Sequence, residues 1–284
     1  MISGNAGYGV TFDGGDTNLT FRDNAIRGNY IGTNAGGDAA LPNGGGVQLL
    51  EGRNFYNNTI GGSAAAERNV ISGNAGWGVV LSRNSYNNGT SHDNTVAGNY
   101  IGTKSGGGHA LGNSDGGVLL ELGAQQDSVE ANRIAFNGGP GVVVDGTPHP
   151  KGFVASGDSI LGNSMFNNDG LGIDLLNGGN NNQAAPAITA VTTNGGSTTI
   201  DGTLDSTAST IFRIELFSSP SCDPSGAGEG KTFLGSTDVT TDGAGHATFL
   251  SSVPALPAGQ AVTATATNSA THDTSELSSC FTSP

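Results

Sequence analysis

The sequence predicts an all-β molecule in two parts, a solenoid of short parallel strands followed by a small antiparallel β-sandwich. Three observations carry that expectation. Two phrases recur at nearly the same offset: "GNYIGT" at residues 28–33 and 98–103, and "ISGNAG" at 2–7 and 71–76. Recurrence at a fixed period marks a unit that cannot bury its own apolar side and must stack on a neighbour. The chain has 49 glycines among 284 residues, and only 12% of residues are charged, a mixture that disfavours helices. Val and Ile alternate inside runs of about four residues punctuated by Gly or Asn, and no helical period survives that spacing.

Divided at its punctuation, the repeat region yields three strands per turn. In the turn that starts near Asn94 they read "NTVAGN", "YIGT" and "GGVLLE"; the next reads "DSVEAN", "RIAFN" and "PGVVVD"; the last reads "DSILGN", "SMFNN" and "LGIDLL". Two earlier turns follow the same plan, and a partial one opens the chain, so about five to six coils are expected. In the third strand of each turn, alternation points Val10, Val47, Val79, Val118, Val142 and Ile173 inward. Phe12, Leu49, Leu81, Leu120, Val144 and Leu175 join them two residues later. An Asn recurs after the first strand (Asn29, Asn99, Asn132, Asn163) and after the second (Asn5, Asn74, Asn137). It is read as a corner device, in which Asn tolerates left-handed backbone and its amide bonds the same amide one rung away.

These repeats resemble right-handed parallel β-helix proteins of the pectate-lyase-like superfold, especially secreted or surface bacterial repeat proteins, over residues 1 to about 176. The resemblance implies a right-handed coil and an extracellular or cell-surface location. It is poor for function, because that scaffold hosts lyases, hydrolases, adhesins and passive stalks.

The coil is assigned to residues 1–178. The Gly- and Asn-rich stretch 179–186 reads as a linker, and 187–284 as the sandwich, where seven strand-like runs alternate with turn residues. That second part looks similar to an immunoglobulin-like module, with capping or spacing of the coil as its expected role. Cys222 and Cys280 both lie in it and are expected to pair in an oxidising compartment. The opening "ISGNAGYGV" starts inside a turn, and the expectation is that further coils precede it or a partner subunit covers the first coil.

The formal charge is −14, from 10 basic and 24 acidic residues, which argues against nucleic acid as a partner. No apolar run approaches the eighteen or so residues needed to cross a bilayer, so membrane insertion is not expected.

Functional residues are sought where the chain leaves the third strand: 13–23, 51–57, 82–93, 121–127 and 145–158. All five excursions leave from one corner and so are expected to wall a groove along the coil axis. Arg53, Phe55, Tyr56, Tyr86, His149 and Lys151 are the expected contacts for a sugar polymer, since aromatic faces stack on sugar rings and forked donors take hydroxyls. Glu121 and Asp145 fall at equivalent places on adjacent coils and form the best acidic pair, with Arg83 and His92 as neighbours in a catalytic reading. No metal site and no cofactor are expected from the spacing of these residues; Ca²⁺ has a place as a bridge to an anionic polymer or as a cation drawn to the acidic pair in a lyase. Asp169 and Asp174 are read as closing the coil against the sandwich. The leading expectation is therefore an exported module that binds polysaccharide or a cell-surface glycan without turnover. The alternative is a polysaccharide lyase or glycoside hydrolase.

Overall fold

The structure is a computed structural model that describes residues 1–13, 19–51, 54–82, 90–150 and 152–283. Its first part is a parallel β-solenoid of about five turns, and its second is a pair of antiparallel sheets. Arg53, Arg83, Tyr86 and Lys151 lie outside the described residues.

Four parallel sheets run along the coil. The largest has six strands: Tyr8–Asp13, Gly45–Glu51, Trp77–Ser82, Gly116–Glu121, Val142–Asp145 and Ile173–Leu176. All twelve residues of the two expected inward columns lie in the coil core or pack against it. A five-stranded sheet contains Ala25–Ile26, Thr59–Gly61, Thr95–Ala97, Ser128–Glu130 and Ser159–Leu161; another contains Tyr30–Ile31, Val70–Ile71, Tyr100–Ile101, Arg133–Ala135 and Ser164–Phe166. These are the three strands per turn that the repeats imply.

The fourth sheet stands where only loops were expected. Thr20–Arg22, Asn54–Tyr56, Thr90–His92 and Ala124–Gln125 pair in parallel, and Gln125 bridges onward to Ser156. Each excursion thus ends by rejoining the stack, because neighbouring backbones arrive one strand spacing apart with free donors and acceptors to pair.

Side-chain ladders hold three corners. Asn29, Asn69, Asn99 and Asn132 each donate from backbone N–H and side-chain amide to Oδ1 of the next rung, ending on Asn163. A second ladder runs Asn5, Asn43, Asn74, Asn113, Asn137, Asn168. A third, not foreseen, runs Asn24, Asn58, Asn94 and then Asp127 and Asp158. The expected cause needs correction: the ladder residues from Asn5 to Asn168 do not themselves take the left-handed conformation. The residue before them does at most rungs, as at Gly28 (φ 67°), Gly98 (φ 65°), Ala131 (φ 52°) and Gly162 (φ 60°). That turn of the backbone aims the following Asn into the corner, where it satisfies groups the strands leave unpaired.

"GNYIGT" is now legible residue by residue. In its second copy Gly98 makes the left-handed turn, Asn99 is the ladder rung, and Tyr100 faces outward with the Arg68 guanidinium 4.1 Å from its ring centroid. Ile101 is fully buried. Gly102 (φ 86°) has no room for a side chain, since a Cβ there would sit 2.2 Å from the Ala135 carbonyl oxygen. Thr103 is buried, and its carbonyl accepts from Ser72 Oγ at 2.7 Å.

The second part places Ala187–Asn194, Ser197–Asp205 and His246–Pro254 in one antiparallel sheet. Thr232–Thr240, Ile211–Ser219, Ala261–Asn268 and Phe281–Thr282 form the other. Val191, Ile200 and Phe249 from the first meet Phe212, Ile214, Leu216 and Val262 from the second in one apolar core. A disulfide joins Cys222 to Cys280, with Cα atoms 5.8 Å apart.

This part closes the end of the coil. Phe217 and Leu277 enter the coil core. Glu229 accepts from the backbone N–H groups of Asn167 and Asn168 and from the Asn168 amide, ending the second ladder. Glu215 accepts from Gly162 N–H at 2.7 Å and Glu276 from Leu175 N–H at 3.0 Å. Carboxylates suit the task because each takes up N–H donors that the last rung would otherwise leave unpaired. Asp169 and Asp174 were expected there; Asp169 does line the cleft at this seam, but the carboxylates that bond the last rung come from the antiparallel part. The stretch 179–186 is likewise more than a linker: Asn180 is buried and accepts from Asp158 N–H at 3.0 Å, continuing the third ladder.

Candidate functional site

The four-stranded sheet decides which excursion residues face outward. Its middle position points into the coil: Phe21, Phe55, Ser91 and Ala124 are in register, and Phe55 is 1% exposed with its ring 5.3 Å from that of Phe21. Phe55 is therefore a core residue, which corrects its expected role as a polymer contact. The positions on either side point outward by alternation. One outward column is Arg22, Tyr56, His92 and Gln125. The Tyr56 and His92 rings stack with centroids 5.4 Å apart and planes 6° from parallel. His92 Nδ1 lies 2.6 Å from Asp93 Oδ2, a contact that helps hold the ring parallel to that of Tyr56. Beside it runs a polar column, in which Asn54 bonds Thr20 Oγ1 at 3.2 Å and Thr90 Oγ1 bonds Asn54 Oδ1 at 3.3 Å.

Sequence reasoning found Tyr56 and His92 but missed Arg22 and Gln125. The signal was there. "TFRDN", "NFYNN" and "TSHDN" share one pattern, an inward residue, an outward residue, a left-handed Asp or Asn and a ladder Asn.

Glu121 ends its strand of the six-stranded sheet at the same corner; Leu122 (φ 51°) and Gly123 (φ 83°) then turn the chain into Ala124–Gln125. The register Val118 to Val142 and Leu120 to Val144 sets Glu121 and Asp145 one rung apart. Their environments differ. Burial, with the charge of Asp145 added, holds the Glu121 carboxyl above its usual range. Burial acts the same way on Asp145, but hydrogen bonds from Asn177 and Thr147 outweigh it and leave that carboxyl below the usual value. Ser82, in register with Glu121, has its hydroxyl buried short of hydrogen-bond geometry with any partner, yet near enough to Glu121 to temper the upward shift.

His149 is 1% exposed and tucks into its own excursion, where its backbone N–H bonds the Phe153 carbonyl at 2.8 Å. That burial corrects its placement among polymer contacts. Among the described residues no group of three or more His, Cys, Asp or Glu side chains is arranged to hold a metal ion. A cleft of about 390 Å³ lies at the seam between the two parts and is lined by Phe166, Asn168, Asp169, Pro220, Glu229 and Lys231. None of Tyr56, His92, Glu121 or Asp145 borders it. Tyr56 and His92 border no described cleft and lie on open surface, whereas Gln125 at the end of the column lines a cleft of about 330 Å³ with Gln126, Ser156, Asn181 and Asp273.

Among the described residues no helix is long and apolar enough to cross a membrane. Comparison with protein-family models and with curated protein sequences finds no match.

Proposed function

We propose that the chain is an exported β-helix module of the pectate-lyase-like kind, with a trailing immunoglobulin-like unit, and that it holds a glycan chain along the corner of the coil. The single observation that carries this reading is the Tyr56–His92 stack, flanked in register by Arg22 and Gln125. Ring faces offer stacking area to sugar rings at little entropic cost, and the guanidinium and amide supply donors to hydroxyls along the same line. A disulfide is compatible with an extracellular setting. The chain's formal charge of −14 favours a neutral polymer over a polyuronate.

Affinity electrophoresis in gels cast with different polysaccharides tests the reading. At least one neutral glycan should retard the protein, Tyr56→Ala should lose about tenfold in affinity, and no sugar should be released. Migration unchanged in every glycan removes the binding reading.

A second reading, hydrolysis or lyase cleavage, is favoured by the opposed shifts of Glu121 and Asp145. One carboxyl held up beside another held down is the asymmetry that glycosidic cleavage uses. In that case Glu121 donates the proton and Asp145 accepts one, with His92 beside the substrate. Glu121→Gln and Asp145→Asn should each abolish product while leaving the circular dichroism spectrum unchanged; activity that survives both changes clears them of that role.

A further inference from the structure

The third ladder breaks its own rule. At Asn24, Asn58 and Asn94 each rung carries an amide, and Asn94 Nδ2 donates both to Asp127 Oδ1 at 2.9 Å and to the Phe55 carbonyl at 3.4 Å. At the next two rungs the amide is replaced by a carboxyl. Asp127 and Asp158 are 1% and 0% exposed. One oxygen of each does the work of the Asn oxygen, accepting from Asn94 and from Asp127 N–H respectively. The other oxygen of each is buried without a hydrogen-bond partner. It occupies the place of an NH₂ donor, and a carboxylate has no hydrogen to give there.

We propose that Asp127 and Asp158 form a proton-dependent lock, which fastens the last turns of the coil to the Asn180 turn and the antiparallel part when the carboxyls are protonated, and loosens that seam when they ionise. A protonated carboxyl mimics an amide, with one oxygen accepting and one O–H donating. An ionised pair instead stacks two negative charges one rung apart in a place with no water to solvate them. The charged groups that face the pair are Asp93 beside the corner and Asp273 from the antiparallel part, both acids, so they push in the same direction.

The seam contacts that depend on this stretch are specific. Asp158 N–H bonds Asn180 Oδ1, and Asn180 Nδ2 returns to the Asp158 carbonyl at 2.8 Å and reaches the Thr274 carbonyl at 3.0 Å. Gly157 N–H bonds Asp273 Oδ1 at 2.7 Å, and Ile160 N–H bonds Thr274 Oγ1 at 3.0 Å. Burial, only partly offset by the bonds from Asn94, pushes Asp127 up to about 7. Burial and then the charge of Asp127 push Asp158 well above the usual range. For an acid raised in the folded state, the stabilisation is complete below the unfolded value near 4 and fades as pH rises through the folded value. The window therefore opens near pH 4 and extends past 7, with the unfolding constant rising about tenfold per pH unit for each proton lost.

Thermal unfolding from pH 4.5 to 9 tests the lock on the wild type, on Asp127→Asn, on Asp158→Asn and on an Asp238→Asn control at an exposed acid. The wild type and the control should lose melting temperature steadily across the window. Both ladder variants should flatten that slope and melt above the wild type at pH 8. Equal slopes in all four proteins overturn the proposal. Should a variant fail to fold, infrared spectroscopy of the wild type in D₂O still decides: a protonated-carboxyl band must persist at pH 6 in the folded protein and vanish on unfolding, and its absence overturns the lock.

Discussion

Two corners of the same coil solve one geometric problem with different chemistry. Where Asn29, Asn69, Asn99, Asn132 and Asn163 stack, every rung is joined to the next through an amide that never titrates. Across the neighbouring five-stranded sheet, the Asn24 ladder begins the same way and then switches to Asp127 and Asp158 at the rungs nearest the antiparallel part. The backbone does not notice, since the residues before Asn94, Asp127 and Asp158 keep the left-handed conformation in both regimes. Rung spacing sets the shape of a corner, while the identity of the rung sets whether its strength depends on pH.

The sharpest way to break the comparison is in the middle of the all-amide corner. Asn99 is fully buried, accepts from Asn69 and donates to the Ile60 carbonyl at 2.8 Å and to Asn132 at 3.1 Å. Asn99→Ala strands several buried groups at once and should cost roughly 4 kcal/mol, read by urea unfolding, with no change in pH slope. A loss under about 1 kcal/mol would mean that the ladder decorates the coil instead of holding it.

A smaller effect is expected at the end of the second ladder. Glu229→Gln keeps the shape but gives up the charge that ends a run of donors, and should cost about 2 kcal/mol, with faster hydrogen exchange at Asn167 and Asn168. The smallest change should stabilise. Ala131 holds the left-handed place that Gly28, Gly98 and Gly162 hold on other rungs, so Ala131→Gly should add about 1 kcal/mol by relieving backbone strain.

Much of the coil was legible because its signals are local. The inward columns from Val10 to Ile173 follow from alternation, and the Asn29 series from its fixed place after a strand. The four-stranded sheet was not, because Thr20–Arg22 and Asn54–Tyr56 are three residues each and lie among polar neighbours that also suit a loop. Phe55 and Tyr56 show what that costs: adjacent aromatics in one excursion, of which one fills the core and the other faces outward. Only the parity of a paired strand tells them apart.

The sequence by itself determined the repeating unit, the apolar interior and the amide corners, since each depends on residues close together in the chain and on a spacing that repeats. Tertiary structure alone decided which excursion side chains form a track, and which acids end the ladders. Glu215, Glu229 and Glu276 reach their partners across 53 to 101 residues, and such meetings are set by how two parts pack, for which a linear string carries no period to read.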